Sequence, residues 1–231
     1  HASGVLAGVV LAAGSGTRLR PLTVARPKAL CPVGGVPLID QAVERVRRVT
    51  TDVAVNVHAG LDQMLDHLER TPSIHVSIER AQALGTAGAL GALRPWIEGR
   101  DVLVQNVDAW CDPEPDLQAF VEGWDRRSVR LLLAGETPFH PRSQVVATLM
   151  PWSEVRDLDP DPTGLYEVSW RAAQERGALE SVAYEGELID CGTVHDYLRA
   201  NLQAAARGRV SPAPDAVPGR TGGSAHDSVV G

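Results

Sequence analysis

The run from Val5 to Ala13 limits the fold more than any other stretch of the chain. It is almost wholly small and apolar, and it breaks at Gly14, Ser15 and Gly16. A short segment with no polar face suits a strand at the centre of a parallel sheet, covered by helices on both sides. Glycines directly after such a strand let main-chain N–H groups approach a phosphate closely, because no Cβ stands in the way. Arg18, Arg20 and Lys28 follow with no acid near them in sequence. A strand that ends in bare amides and is followed by cations is suited to holding an anion.

The common phosphate loops do not fit. Leu19 stands where a dinucleotide fingerprint needs its third glycine. No Gly-Lys-Ser/Thr closes a glycine-led run, so there is no P-loop. Gly-Ser-Gly alone carries little weight, since glycine turns after strands are common in loops that bind nothing. The longer string is far more specific. Leu11-Ala-Ala-Gly-Ser-Gly-Thr-Arg-Leu-Arg-Pro-Leu-Thr, followed by Arg26-Pro-Lys-Ala-Leu-Cys-Pro-Val, resembles the signature of the sugar-1-phosphate nucleotidylyltransferases. These are NDP-sugar pyrophosphorylases, among them mannose-1-phosphate guanylyltransferases and muramate-1-phosphate uridylyltransferases. The resemblance runs from residue 5 to about 205 and is thin between 135 and 180. It implies a Rossmann-like three-layer α/β/α fold with a mixed, mainly parallel sheet.

A length of 231 residues suits one α/β domain with a short appendage. The domain is expected over residues 4–206. From Arg207 onward, prolines at 212, 214 and 218 and glycines at 219, 222 and 223 read as a linker. The stretch from Ala225 to Gly231 resembles the opening of the hexapeptide-repeat β-helix that several family members carry. Formal charge is −7, with acids and bases intermixed, which argues against a nucleic-acid partner. Cys31, Cys111 and Cys191 are scattered and odd in number, so neither zinc nor a disulfide framework is expected. A reducing, cytoplasmic setting follows. The apolar run at the start is a strand's length, so neither a signal peptide nor a membrane partner is expected. Self-association is left open.

Periodicity places the other elements. Helices are expected at 37–49, with Arg45, Arg47 and Arg48 on its solvated face, and at 61–70, with Met64 as core filler. A further helix is expected at 117–124, another at 166–176, and a last one at 194–206, with Tyr197, Leu198 and Leu202 inward. Strands are expected at 52–57, 74–78, 101–106, 129–134, 143–150, 179–183 and 187–189. The small-residue segment from Leu84 to Leu93 reads as a loop and a tightly packed helix start. An aspartate at the carboxyl end of a parallel strand stands at the crevice where such sheets bind ligands, and Asp108 is so placed.

The reaction implied by the resemblance is attack of a sugar-1-phosphate oxygen on the α-phosphorus of an NTP, with release of pyrophosphate. That transfer needs positioned anions and neutralised charge more than a side-chain nucleophile. Magnesium takes carboxylate, phosphate and water oxygens. Asp108 and Asp190 match the family's Asn-Gly-Asp and Asp-x-Gly-Thr aspartates, which implies that both hold Mg2+. Asp112 and Asp116 read as surface or capping residues. The resemblance assigns the β- and γ-phosphates to Arg18, whose fork suits a multi-oxygen anion. It sets Lys28, the only lysine in the chain, between the α-phosphate and the sugar phosphate. Leu11, Ala12, Ala13, Gly14, Ser15, Gly16 and Thr17 form the implied nucleotide loop. Gln82, Gly85 and Thr86 form its second wall, and the Gln82 amide can both donate to and accept from a base edge. Asn56 and His58 are expected only to satisfy loop backbone.

Two features depart from the family pattern. Val107 replaces the usual glycine beside Asp108, and the later Glu-Lys-Pro segment that grips the sugar phosphate has no match. Arg142, in the irregular stretch 135–142, is the nearest substitute. GTP and mannose-1-phosphate are the first expectation for the substrates, with UTP or dTTP and another hexose or muramate phosphate as the alternative. A non-catalytic NDP-sugar-binding regulatory subunit is the rival of a different class.

Overall fold

The computed structural model describes residues 6–211. The chain begins with β1 (Ala7–Leu11), a 3₁₀ turn at Thr17–Leu19, α1 (Leu22–Ala25) and a second 3₁₀ turn at Lys28–Leu30. A small hairpin, β2 (Pro32–Val33) and β3 (Val36–Pro37), leads into α2 (Leu38–Arg47), β4 (Val53–Val57), α3 (Leu61–Glu69) and β5 (Ile74–Ile78). Then come α4 (Gly85–Ile97), β6 (Val102–Asn106), β7 (Ala109–Asp112), α5 (Leu117–Val121), β8 (Val129–Ala134) and β9 (Gln144–Met150). The last elements are α6 (Trp152–Val155), a π turn at Tyr166–Trp170, α7 (Arg171–Glu175), β10 (Leu179–Tyr184), β11 (Glu187–Asp190) and α8 (Val194–Ala206).

The main sheet has the order β10-β8-β9-β6-β1-β4-β5, and only β9 runs against its neighbours. Every residue of β1 is buried, as its unbroken apolar run requires. Val10 and Ala12 pack into the core beneath α2, with Ile39, Val43 and Val46. Val9 and Leu11 pack the other way, with Ala89, Leu90 and Leu93 of α4. Two helix layers therefore sandwich the sheet, as expected for a Rossmann-like α/β/α fold. β1 lies between β4 and β6, so the crevice at its carboxyl end opens between loops leaving in opposite directions. Among the described residues no helix is long and apolar enough to cross a membrane.

Most predicted elements lie within a few residues of their expected ends. The hairpin β2–β3 and strand β7 are not foreseen by the sequence pattern. β7 pairs antiparallel with β11, which sets Ala109 opposite Asp190. A four-residue strand directly behind β6 has too little pattern of its own to be read.

Three expected placements are wrong. Arg45 is not on the solvated face of α2. Its side chain is 1% exposed, its Nε lies 2.7 Å from Glu114 Oε2, and it donates to Ala109 O. Periodicity misleads there because an acidic partner from a distant loop makes an inward arginine tolerable. Leu198 and Leu202 of α8 also face outward, while Ala200, Asn201 and Ala204 are buried. α8 docks through polar bonds: the Tyr197 hydroxyl donates to Pro32 O, and Asn201 Oδ1 accepts from Gly34 N–H. The buried Ala200 and Ala204 let the helix lie close to the body. Asp116 caps α5 as expected, accepting from Ala119 N–H. Asp112, expected at the surface, is mostly buried and pairs with Arg207 and Arg209. Residues 207–211 lie against the body, where Ser211 N–H donates to Gly34 O. The β-helix resemblance at 225–231 lies outside the described residues.

Candidate active site

The site is built from what leaves the carboxyl edge of the sheet. After Ala13 the chain is irregular to Gly16, which sits at φ 63° and turns into the 3₁₀ turn at Thr17. That left-handed conformation favours glycine. Its carbonyl accepts from the Thr23 hydroxyl at 2.7 Å, which closes the loop on itself. Leu11, Ala12 and Ala13 are buried, whereas Gly14, Ser15, Thr17 and Arg18 are exposed. The loop thus has a buried root and an open, amide-rich tip. Lys28 lies beneath that tip on the second 3₁₀ turn, and a side chain at Gly14 would touch its Cε and Nζ.

Asp108 follows β6, and Asp190 ends β11. The two meet because Cys191 N–H donates to Asp108 O while Asp190 pairs with Ala109. Lys28 Nζ lies 2.6 Å from Asp108 Oδ2, and Arg18 Nη2 lies 3.9 Å from Asp190 Oδ2. The four residues expected to handle phosphates and metal, Arg18, Lys28, Asp108 and Asp190, therefore form one cluster. Burial first, and then the neighbouring Asp108 carboxylate, push the Asp190 carboxyl up; Lys28, the Gly192 N–H and Arg18 oppose this. Two acids set against each other in this way favour a shared cation. Burial pushes the adjacent Cys191 thiol up to about 12, with both aspartates adding to it, so it is no thiolate nucleophile at neutral pH.

Val107 does not crowd this cluster. Its side chain is buried in the core, and its N–H donates to Leu11 O. The bulk that replaces the usual glycine points into the protein, away from the crevice.

The second wall is partly occupied by the protein itself. Gln82 is exposed, as is Gly85, which begins α4 at φ 71°. The Thr86 hydroxyl accepts from Leu165 N–H at 2.8 Å, so it anchors the segment 159–165. Side chains at Gly88 and Gly91 would come within 2.3 and 2.4 Å of the main chain at Asp161 and Asp159. The small-residue stripe of α4 is thus where this segment lies down, which accounts for its glycines by packing.

Two residues that sequence reasoning set aside or passed over join the walls. Asn56 is the penultimate residue of β4 and is 2% exposed; Glu79 follows β5 and is 4% exposed. Ala12 N–H donates to Asn56 Oδ1 at 2.7 Å, Asn56 Nδ2 donates to Glu79 Oε1 at 2.7 Å, and Leu84 N–H donates to Glu79 Oε2 at 2.8 Å. The available signal is modest: Asn56 interrupts an otherwise apolar strand, and Glu79 follows a strand that alternates. His58 does satisfy loop backbone, as its Nδ1 lies 2.7 Å from Glu79 O.

Comparison with known proteins places the chain in a family. A nucleotidyl transferase family model matches residues 7–143, which carry the loop, Lys28, both walls and Asp108. The chain belongs to the nucleotidyl transferase family. Among relatives, an N-acetylmuramate alpha-1-phosphate uridylyltransferase of Caulobacter vibrioides is 38% identical over 151 residues, 59% of this chain and 62% of the relative. A mannose-1-phosphate guanyltransferase of Schizosaccharomyces pombe is 27% identical over 225 residues, 82% of this chain and 62% of the relative. The chain thus spans about three-fifths of the length of these two transferases. A Bacillus anthracis protein assigned as a glucose-1-phosphate thymidylyltransferase, solved with sucrose, shares the fold. Its TM-score is 0.68 at 22% identity, covering 87% of this chain and 95% of that one.

Proposed function

We propose that this family member is a sugar-1-phosphate nucleotidylyltransferase, which joins an NTP and a sugar-1-phosphate to give an NDP-sugar and pyrophosphate. The observation that carries the reading is the cluster of Arg18, Lys28, Asp108 and Asp190 beneath an amide-rich loop. Lys28 is largely buried, and its ammonium is held at the crevice by Asp108. There it would offset the mutual repulsion of two phosphates as they approach, which is greatest in the transition state. Arg18 is exposed and its contact with Asp190 is loose, so its fork is available to the phosphates that leave. Buried cysteines with raised pKa values leave direct in-line attack by the sugar phosphate as the simpler course.

The residues fit magnesium. Asp108 and Asp190 supply hard oxygens, and among the described residues no cluster of three or more His, Cys, Asp or Glu offers a complete protein cage. A cation bound through one or two carboxylates, phosphates and water is what Mg2+ prefers. When bound it would neutralise charge on the phosphates.

For the substrates, the 38% identity to a muramate-1-phosphate uridylyltransferase favours UTP and a muramate-type sugar phosphate. GTP with mannose-1-phosphate, the first expectation from sequence, has the weaker relative. Of the two features that favoured a non-catalytic subunit, Val107 no longer does so, because its side chain is buried away from the crevice. Pyrophosphate release measured with each of UTP, GTP, dTTP and ATP against a panel of sugar-1-phosphates, with magnesium present, tests the proposal. Turnover is expected with UTP and N-acetylmuramate-1-phosphate. Nucleotide binding without turnover by any pair would return the non-catalytic reading.

A further inference from the structure

The bridge between the two walls has an order of donors and acceptors that admits one arrangement only. Its ends are the main-chain N–H groups of Ala12 and Leu84, 72 residues apart in sequence, and neither can accept. Asn56 must therefore turn its oxygen to Ala12, which leaves its NH2 facing residue 79. Residue 79 must then accept twice, once from Asn56 and once from Leu84. A carboxylate does this; a carboxamide places an N–H against a donor, whichever way Asn56 is turned. The carboxylate is almost wholly buried, and both of its partners are neutral N–H donors. A charge held in this way is costly unless every bond is made.

We infer that Glu79, acting through Asn56, is the positioning residue that sets the spacing of the two walls of the nucleotide site. This rests on reading the loops at 11–17 and 82–86 as those walls. The Glu79 carboxylate bonds to Asn56 and Leu84 and lies apart from the ion pairs of Asp108 and Asp190. Its Oε2 closes the loop from 79 to 84 that carries Gln82, and its Oε1 ties that loop through Asn56 to the root of the glycine loop. The Asn56–Glu79 pair thus holds the amides of one wall and Gln82 of the other in a fixed relation. Loss of the bridge should loosen nucleotide binding and leave the chemistry of the bound complex largely intact.

The same order dictates a restoring pair. Glu79→Gln leaves one donor facing another. Asn56→Asp sets two carboxylates oxygen to oxygen. Combined, Asn56→Asp and Glu79→Gln restore every bond. The carboxylate introduced at position 56 accepts from Ala12 N–H and from the carboxamide introduced at position 79, whose oxygen accepts from Leu84 N–H. Net charge is unchanged.

The test measures equilibrium binding of UTP and of GTP with magnesium, the KM for NTP and kcat in wild type, both single variants and the double variant. Amide exchange at Ala12 and Leu84 is followed alongside. Each single variant should weaken NTP binding about tenfold or more, as expected when a buried hydrogen-bonding group is left unsatisfied. KM for NTP should rise in parallel, while kcat changes far less. The double variant should return to within about twofold of wild type, with exchange at both amides slowed again. Should the single variants fail to fold, a folded, nucleotide-binding double variant carries the inference, and an unfolded one overturns it. Unchanged NTP binding in the single variants, or a double variant as weak as the product of both, overturns it as well. If wild type binds an NTP but turns over no pair, the transfer reaction fails while binding still decides the bridge. If it binds neither nucleotide, the inference falls.

Discussion

Two ion pairs in this protein are nearly identical as pairs. Lys28 Nζ lies 2.6 Å from Asp108, with the side chains 10% and 25% exposed; Arg45 Nε lies 2.7 Å from Glu114, at 1% and 26%. Their surroundings differ. Arg45 also donates to Ala109 O and is sealed beneath β7. Lys28 and Asp108 open onto a crevice with a second acid, a second cation and a loop of bare amides. Distance and burial do not separate scaffold from proposed site; the loosely paired, exposed Arg18 and Asp190 beside the pair do. The first pair should govern turnover and the second should govern stability.

The largest effect that tests this contrast is expected at Asp108. Asp108→Asn keeps the size and removes the charge, and it should abolish metal-dependent pyrophosphate release while the thermal unfolding curve stays cooperative. Near-normal turnover at low magnesium would remove Asp108 from the site. Lys28→Met should lower kcat by about 10²- to 10³-fold, the scale for losing one charge-stabilising donor. The KM for NTP should move much less, and no second lysine exists to compensate. Unchanged kinetics would make Lys28 a scaffold residue like Arg45.

The contrast is sharpened from the other side by Arg45→Met. Removing one partner of a buried pair leaves the other uncompensated, at a cost of about 3 kcal/mol or more. Glu114 is a quarter exposed, which places the loss toward the low end. Urea denaturation should report that loss, while kcat/KM per folded molecule stays near wild type. A fall in kcat at constant stability would mean that this pair also belongs to the site. The smallest effect is expected at Arg142, which lies at the same sheet edge after β8. Arg142→Ala should raise the KM for the sugar phosphate several-fold and leave the KM for NTP alone. The reverse pattern would place the sugar phosphate elsewhere.

The loop side of the candidate site is legible in the sequence because it is local. The glycine loop, Arg18 and Lys28 lie on one continuous stretch, and Asp108 sits at the end of a plain apolar strand. The outer sheet elements were legible for the same reason, through their alternation and their turns. What escaped depends on partners far apart in the chain. Arg45 reads as solvated until Glu114 is brought beneath it. Asn56 reads as a loop satisfier until the amide that it satisfies proves to be that of Ala12. Leu198 and Leu202 read as core until the polar anchors at Tyr197 and Asn201 turn α8 the other way. Val107 reads as an obstruction because sequence gives a residue's size but not its direction.

The fate of the phosphates decides whether Lys28 and its neighbours serve transfer of the nucleotidyl group. Wild type is incubated with magnesium, the sugar-1-phosphate and UTP labelled at either the α- or the γ-phosphate. The α-label should appear in the NDP-sugar and the γ-label in pyrophosphate, with both products suppressed in Lys28→Met. Transfer of γ-label to the sugar phosphate, or α-label that stays in UTP while the nucleotide is bound, would contradict it.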